Sequence, residues 1–423
     1  MRSMAAIEID GTNVAPNGGR YRVLAAACGL AVITYIHRVG FATAAAEFKG
    51  PLGLDQRQLS YLMAAFMLAY GGFEIPWGWL GDRFGVRNLL VVVVLGGSLA
   101  TAALCLSTAF PAGAMALGYL LALRFLFGMF QAGTFPSISR MTADWMPGTE
   151  RGAAQGLVWT ASRLGGALSP LLVVQLTLHL GSWKAAIVVI SLLGVVWCLA
   201  FWPWFRNRPT TTMEVNVPQP DRLGAGRMVR SGSVWALCLM YGCLGYSGNF
   251  FLTLLPDYLR TNRGLSPGTA QWLSSLPFAC GVIACFGGGA ISDAIIRRTG
   301  DRTRGRRLVG AAGMALAASA ILGTIWVRDA RALGFLLCLT FFGNDLAMAP
   351  AWSAAADLGG RLAGTLGGAM NMLANLSSAV ASLLSGYLLH AGYVQVPFIV
   401  FAVVYAAGAL CWFCIDLDRP VVG

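Results

Sequence analysis

The chain has 423 residues, of which 57% are hydrophobic and only 11% are charged, whereas a soluble chain has roughly a quarter charged residues. This composition excludes a soluble enzyme, a disordered protein and a nucleic-acid-binding protein. The apolar residues come in runs of about 20, which cross a lipid bilayer as helices, and the net charge of +12 is typical of basic loops on one membrane face.

The apolar runs predict an all-α polytopic membrane protein with twelve transmembrane helices in two six-helix halves. In the first half we expect helices at Tyr21–Ala46, Gln58–Leu80, Leu89–Phe110, Met115–Ile138, Gly152–His179 and Ala185–Phe205. In the second half we expect them at Ser233–Leu259, Thr269–Ser292, Leu308–Val327, Ala332–Trp352, Ala363–His390 and Val394–Ile415. The predicted organisation is a tail at 1–20, a bundle at 21–205, a linker at 206–232, a second bundle at 233–416 and a tail at 417–423.

Basic residues are distributed unevenly over the predicted loops. With an even number of helices, one side of the membrane receives 20 Arg and Lys residues, the other side receives seven, and three lie inside helices. Basic loops face the cytoplasm. The split therefore predicts that both termini are cytoplasmic, in a multi-pass protein of the plasma membrane, or of the inner membrane if the protein is bacterial.

The two halves repeat a short Gly–Asp–Arg pattern after their second predicted helix. All three matched pairs are 211 residues apart, about half the chain: Gly78 with Gly289, Asp82 with Asp293, and Arg87 with Arg298. Parallel duplication of six-helix halves is a layout in which a substrate site lies at mid-membrane between the halves.

The loop between the second and third predicted helices reads GWLGDRFGVR. It resembles the loop signature of the major facilitator superfamily. The chain more closely resembles the anion:cation symporter family within it, through TYIHR, YGGFEIPWGWLGDRFG, RFLFGMFQAGTFPSISR, RGAAQGLVWTASRLGGALSP, FLTLLPDYLRTNRGLS and GGAMNMLANL. This resemblance covers nearly the whole chain and implies the major facilitator fold and transport of an organic anion, such as a sugar acid.

The resemblance also implies roles for single residues. Tyr35, Arg38, Arg124 and Gln131 occupy the family's substrate and coupling positions. The family usually has Asp where this chain has His37, and Glu where it has Gln131. Both positions have lost an acid, so the substrate class is better supported than proton coupling.

Three arginines lie inside predicted helices, where a centred charge costs about 2.5–3.5 kcal/mol. Arg38, Arg124 and Arg163 therefore require a wet cavity, a substrate or a structural partner. Arg124, Gly128 and Gln131 follow one another at i, i+4 and i+7, on one face of a helix. Because the guanidinium fork binds a carboxylate bidentately, we expect these arginines to bind an organic anion.

Uncharged and acidic side chains complete the candidate site. Asn249 and Asn371 are candidates for the opposite wall, with interhelical hydrogen bonding as the alternative. Three residues are candidate proton carriers: His37, which is favoured because histidine titrates near neutral pH, then Glu74 and Asp345. Either acid is also a candidate partner for an arginine.

The resemblance further implies a conformational gate at the cytoplasmic ends of the two halves. In the resembled family, the loop Asp and its flanking basic residues lock these ends together. The predicted gate consists of Gly78, Asp82, Arg83, Arg87 and Arg151, with Asp293 and Arg298 as the second-half copy.

The sequence favours a secondary active transporter that moves a carboxylate or sugar acid by alternating access, with proton symport as the expected coupling. No catalytic residue, metal site or cofactor is expected, and the protein is expected to be a monomer. The alternatives are proton-antiport efflux, a facilitator or exchanger, and a non-transporting receptor on the same scaffold. Efflux is disfavoured because the fifth predicted helix reads SRLGGALSP rather than ending in the GPxxGG of drug antiporters.

Overall fold

The computed structural model describes residues 17–54, 56–207 and 222–418, and all regular secondary structure in these ranges is helical. The first half contains α1 (Asn17–Phe48), α2 (Gln56–Phe84), α3 (Val86–Ala103), α4 (Ala114–Gln131), α5 (Thr134–Trp145), α6 (Arg151–Leu180) and α7 (Trp183–Phe201). The short helix α8 (Arg222–Arg230) precedes the second half. That half contains α9 (Gly232–Thr253), α10 (Leu255–Thr261), α11 (Pro267–Thr299), α12 (Arg302–Gly323), α13 (Ala330–Leu346), α14 (Met348–Gly359), α15 (Ala363–His390) and α16 (Val396–Cys411).

Each predicted span coincides with one helix or with two consecutive helices. The spans predicted at Met115–Ile138, Ser233–Leu259 and Ala332–Trp352 are each divided in two, as α4 and α5, α9 and α10, and α13 and α14. The bounds of α15 are those expected. The predicted tails lie largely outside the described residues, at 1–16 and 419–423.

The predicted linker contains a helix that the sequence analysis missed. Its residues 208–221 lie outside the described ranges, but α8 follows them directly. Met228 is buried while Arg227 and Arg230 are exposed, so α8 is amphipathic. The Pro and Thr residues earlier in the linker had indicated an irregular segment, and the helical pattern that follows them is short.

The break between α4 and α5 has a local physical cause. In a continuous α-helix the N–H of Gly133 would bond to the carbonyl of Met129. Here it bonds to the carbonyl of Phe130 instead, so the Met129 carbonyl needs another donor. The indole of Trp77 donates to that carbonyl at 2.6 Å. Backbone polar groups inside a bilayer require such partners, and α2 therefore stabilises the kink.

The two halves pack on each other through two symmetrical helix pairs. Within the first half α1 packs on α6 and α2 on α4, and within the second half α9 packs on α15 and α12 on α16. Between the halves, α2 packs along α15 and α6 along α11. Shifting the numbering by 211 residues converts α2 into α11 and α6 into α15. The two inter-half pairs are therefore equivalent under the sequence repeat.

Glycines bring these inter-half pairs into backbone contact. A Cβ at Gly78 would overlap the carbonyl of Gly364, and a Cβ at Gly289 would overlap the carbonyl of Gly152. Both contacts lie at the end of the bundle that carries Asn17, which we call the termini-side end. The repeated Gly is therefore explained by the close approach of two helices.

A larger side chain at Gly78 tests this contact. We expect Gly78→Val to hold the termini-side end open, so that the backbone amides of 360–366 exchange faster in hydrogen–deuterium exchange. Gly72→Val is the matched control, because a Cβ at Gly72 meets nothing within 4 Å. Equal exchange in the two variants would show that the contact does not control closure.

Candidate functional site

At the termini-side end, Asp82 caps a helix of the other half. Its carboxylate accepts hydrogen bonds from the backbone N–H of Gly364 at 3.0 Å and of Thr365 at 2.6 Å. These amides belong to the first turn of α15, where helical N–H groups have no intrahelical partner and the helix dipole is positive. Arg140 lies 3.8 Å from Asp82 and donates to the carbonyl of Arg361 at 2.5 Å.

The second half repeats this arrangement in the opposite direction. Asp293 accepts from the N–H of Gly152 at 3.1 Å and of Ala153 at 2.6 Å, at the start of α6. Arg306 is fully buried and pairs with Asp293 at 2.6 Å. Each half therefore supplies one carboxylate that stabilises a helix N-terminus of the other half, and both bonds require the closed end.

Asp357 joins the Asp293 cap to the first half. It pairs with Arg151 at 2.5 Å and with Arg306 at 3.4 Å. Arg140 also pairs with Asp144, one turn further along α5, at 2.7 Å. The termini-side end therefore carries two sets of ion pairs: Arg140 with Asp82 and Asp144, and Asp357 with Arg151 of the first half and Arg306 of the second.

The predicted gate requires a correction. Arg83, Arg87 and Arg298 do not pair with the loop aspartates: Arg83 stacks on Trp79 and Phe84, Arg87 donates to the carbonyl of Trp202 at 2.8 Å, and Arg298 is exposed. These three side chains lie at helix ends. There they are closer to tryptophan side chains or solvent than to the interface between the two halves. The loop aspartates pair instead with Arg140 and Arg306, which the sequence did not single out, whereas the predicted gate residue Arg151 pairs with Asp357.

Removing the Asp82 charge tests the cap. Asp82→Asn keeps the shape but presents a weaker, uncharged acceptor to the α15 amides, so we expect faster amide exchange at 360–366 and slower turnover. Substrate affinity should change much less than turnover, because Asp82 lies at the termini-side end and not at mid-membrane. Asp293→Asn is the symmetrical comparison and should act on the amides at 150–156. A lost affinity with unchanged exchange would contradict the assignment.

At mid-membrane Arg38 lies in an aromatic cage. Its Nε donates to Gln131 Oε1 at 3.3 Å, and its guanidinium carbon is 4.5 Å from the ring centre of Tyr70 and 5.2 Å from those of Tyr35 and Phe66. Its Nη2 is buried and has no hydrogen-bond partner among the described residues. The structure thus brings together three predicted substrate residues and leaves one donor of Arg38 unused.

Arg124 is buried among rings and shares Phe66 with this cage. Its guanidinium carbon lies 4.1 Å from the ring centre of Phe41, 4.6 Å from Phe66 and 5.2 Å from Phe127. Its Nε is 3.5 Å from the carbonyl of Leu62. No acid pairs with it in the described part of the chain. Each ring offsets about 0.5–2 kcal/mol of its burial, but rings carry no compensating charge.

Arg163 and Asp345, which were predicted separately, form one ion pair between the halves. Arg163 donates to both carboxylate oxygens of Asp345, at 2.9 and 3.1 Å. Asn344 donates to the same carboxylate at 3.1 Å and accepts from Tyr405 at 2.9 Å. In this conformation the two charges neutralise each other across α6 and α13, so Arg163 has no charge available for a substrate.

Glu74 lies at the interface of α2 and α15 and is fully buried. Asn371 donates to one of its carboxylate oxygens, and Asn375 donates to the other at 3.2 Å. Asn371 also lies 3.3 Å from the hydroxyl of Tyr70, which contacts Arg38. Glu74 has amide partners but forms no ion pair within the described residues, and it is linked to Arg38 through Tyr70.

Two predicted residues lie away from this centre. His37 contacts the carbonyl of Ile190 at 2.9 Å and lines a cavity of about 20 Å³ beside Arg124. The sequence had suggested that His37 lies in the cavity wall beside Arg38. In the structure its ring lies inside the first half instead. Asn249 donates to the Ser378 carbonyl at 3.0 Å and to Ser382 at 2.6 Å, joining α9 to α15 within the second half.

Comparisons with known proteins agree with this architecture. Residues 27–382 match the Major Facilitator Superfamily profile. The chain belongs to the major facilitator superfamily. It is 31% identical to a probable sulfoacetate transporter of Cupriavidus necator over 92% of both chains. It is 29% identical to a D-galactonate transporter of Escherichia coli over 96% of this chain and 98% of the other.

A solved structure shows the same fold. The Escherichia coli fucose:proton symporter aligns over 94% of this chain and 99% of its own, with a TM-score of 0.76 and 14% sequence identity. The predicted fold class and superfamily are thereby confirmed. The chain is a multi-pass membrane transporter and not an enzyme, as the sequence had indicated.

Proposed function

We propose that this protein is a secondary active transporter of small organic anions, with Arg38 as the residue that binds the anion. The observation that carries the proposal is the buried, unpartnered Nη2 of Arg38 at mid-membrane. A buried donor without a partner is costly, and a carboxylate or sulfonate oxygen supplies that partner. The similarity to sulfoacetate and galactonate transporters supports an organic acid as the ligand.

Alternating access is supported by the way the halves are joined. The caps at Asp82 and Asp293 and the bridge at Asp357 all lie at the termini-side end. With both termini in the cytoplasm, as the basic loops predict, this conformation is closed toward the cytoplasm. Transport then requires these contacts to break so that the substrate is released on that side.

Arg38→Lys separates charge from geometry. The lysine keeps the positive charge but loses the planar fork, so we expect uptake of a transported anion to fall about tenfold, or about 1.4 kcal/mol. Arg260→Lys at an exposed position is the matched control and should retain uptake at equal expression. Undiminished uptake by Arg38→Lys would remove Arg38 from the site.

We further propose that a proton is the coupling ion and that Glu74 carries it. Gln131 cannot titrate, and Asp345 is already neutralised by Arg163. Glu74 is buried between the halves, accepts hydrogen bonds from the amides of Asn371 and Asn375 and forms no ion pair within the described residues, so its proton can be exchanged without breaking an ion pair. A proton on Glu74 raises the net positive charge around Arg38 and favours an anion there, so the two bind together.

Glu74→Gln tests this coupling in proteoliposomes with an imposed pH gradient. The glutamine imitates a permanently protonated Glu74, so we expect accumulation driven by the gradient to be lost while counterflow exchange persists. His37→Gln is the comparison, because His37 is the other predicted proton carrier. Loss of gradient-driven uptake in His37→Gln alone would move the proton to His37, and wild-type uptake that ignores the gradient would indicate a facilitator or an exchanger.

A further inference from the structure

Two guanidinium groups lie against the same aromatic ring in the interior of the first half. The guanidinium carbons of Arg38 and Arg124 are 5.2 Å and 4.6 Å from the ring centre of Phe66. Both residues belong to candidate membrane spans, and Arg124 is only 3% exposed. The two positive charges repel each other and create a positive electrostatic potential around Phe66.

The surrounding charges do not neutralise this pair. Asp345 is occupied by Arg163 at 2.9 Å. Glu74, the acid closest to Arg38 along α2, accepts hydrogen bonds from Asn371 and Asn375 instead. When Glu74 carries the proton proposed above, the described residues at this depth hold two positive charges in excess.

The rings that surround both arginines do not change this balance. An aromatic face attracts a cation through its quadrupole but has no net charge. The Nη2 of Arg38 has no hydrogen-bond partner among the described residues. Arg124 has weak partners: its Nε lies 3.5 Å from the carbonyl of Leu62, and its Nη2 lies 3.9 Å from the sulfur of Met63. Arg38 therefore has a free donor for an acid group, and a carboxylate or sulfonate is a stronger acceptor for Arg124 than the distant carbonyl and thioether that it contacts now.

We propose that the preferred substrate is a small dianion, with one acid group on Arg38 and the other on Arg124. This inference rests on the proposed function and refines its substrate class. A monoanion leaves one guanidinium without a counter-charge, whereas a dicarboxylate or sulfocarboxylate neutralises both and removes their mutual repulsion. Arg124 is then a determinant of specificity, and Arg38 alone suffices for a monoanion.

The test measures binding of matched acids to the purified full-length protein by the concentration dependence of thermal stabilisation. Each pair keeps the carbon skeleton and removes one charge: succinate with succinamate, D-glucarate with D-gluconate, and sulfoacetate with sulfamoylacetate. We expect at least one dianion to bind about tenfold or more tightly than its monoanionic partner. Arg124→Gln should reduce this ratio to near one, because the dianion loses both a charge and a fork partner and therefore loses much more affinity than the monoanion.

Arg124→Lys keeps the inference testable if Arg124→Gln is unstable. It restores the charge without the fork, so part of the preference for the dianion should return. Equal affinity for both members of every pair would overturn the dianion assignment and leave organic-anion transport standing. A preference that survives in Arg124→Gln would also overturn it. If none of the six acids stabilises the protein or is taken up into proteoliposomes, the proposed function fails as well.

Discussion

The closed conformation depends on a carboxylate of each half that caps a helix of the other half. Asp82 binds the first amides of α15, and Asp293 binds the first amides of α6. A charge at a helix N-terminus contributes about 0.3–2 kcal/mol, which is small enough to be broken in each transport cycle. Since both caps require backbone contact, the glycines at 78 and 289 are part of the same constraint.

The scarcity of acids in the membrane interior determines what the centre does. Three arginines lie there, and Asp345 neutralises only Arg163. Arg38 and Arg124 are held by rings, amides and carbonyls, which make burial tolerable but leave the charge uncompensated. A site built this way binds an anion more tightly than it binds a neutral molecule of the same shape.

The sequence predicted the fold well because its signals are local. Apolar runs indicated the spans. The Gly–Asp repeat indicated both caps, because close helix contact requires a small residue and a helix N-terminus favours an acid, whichever helix is the partner. Partner choice is a tertiary property, so Arg306 was not separable from the five other arginines in the same loop. His37 was misplaced because neighbouring residues point about 100° apart on a helix, so it faces Ile190 while Arg38 faces Tyr70.

The contacts of Tyr70 join substrate binding to the contact between the halves. Its ring lies 4.5 Å from the guanidinium carbon of Arg38, and its hydroxyl lies 3.3 Å from Asn371 of α15. Under the proposed function, we expect an anion that draws Arg38 toward itself to shift the ring on which Arg38 lies, and so to disturb the amide bonds to Glu74. Because Asn371 lies about 1.7 helical turns from Thr365 on the same helix, we expect such a change to act on α15 and hence on its cap at Asp82. We therefore expect anion binding and closure to be coupled through α15.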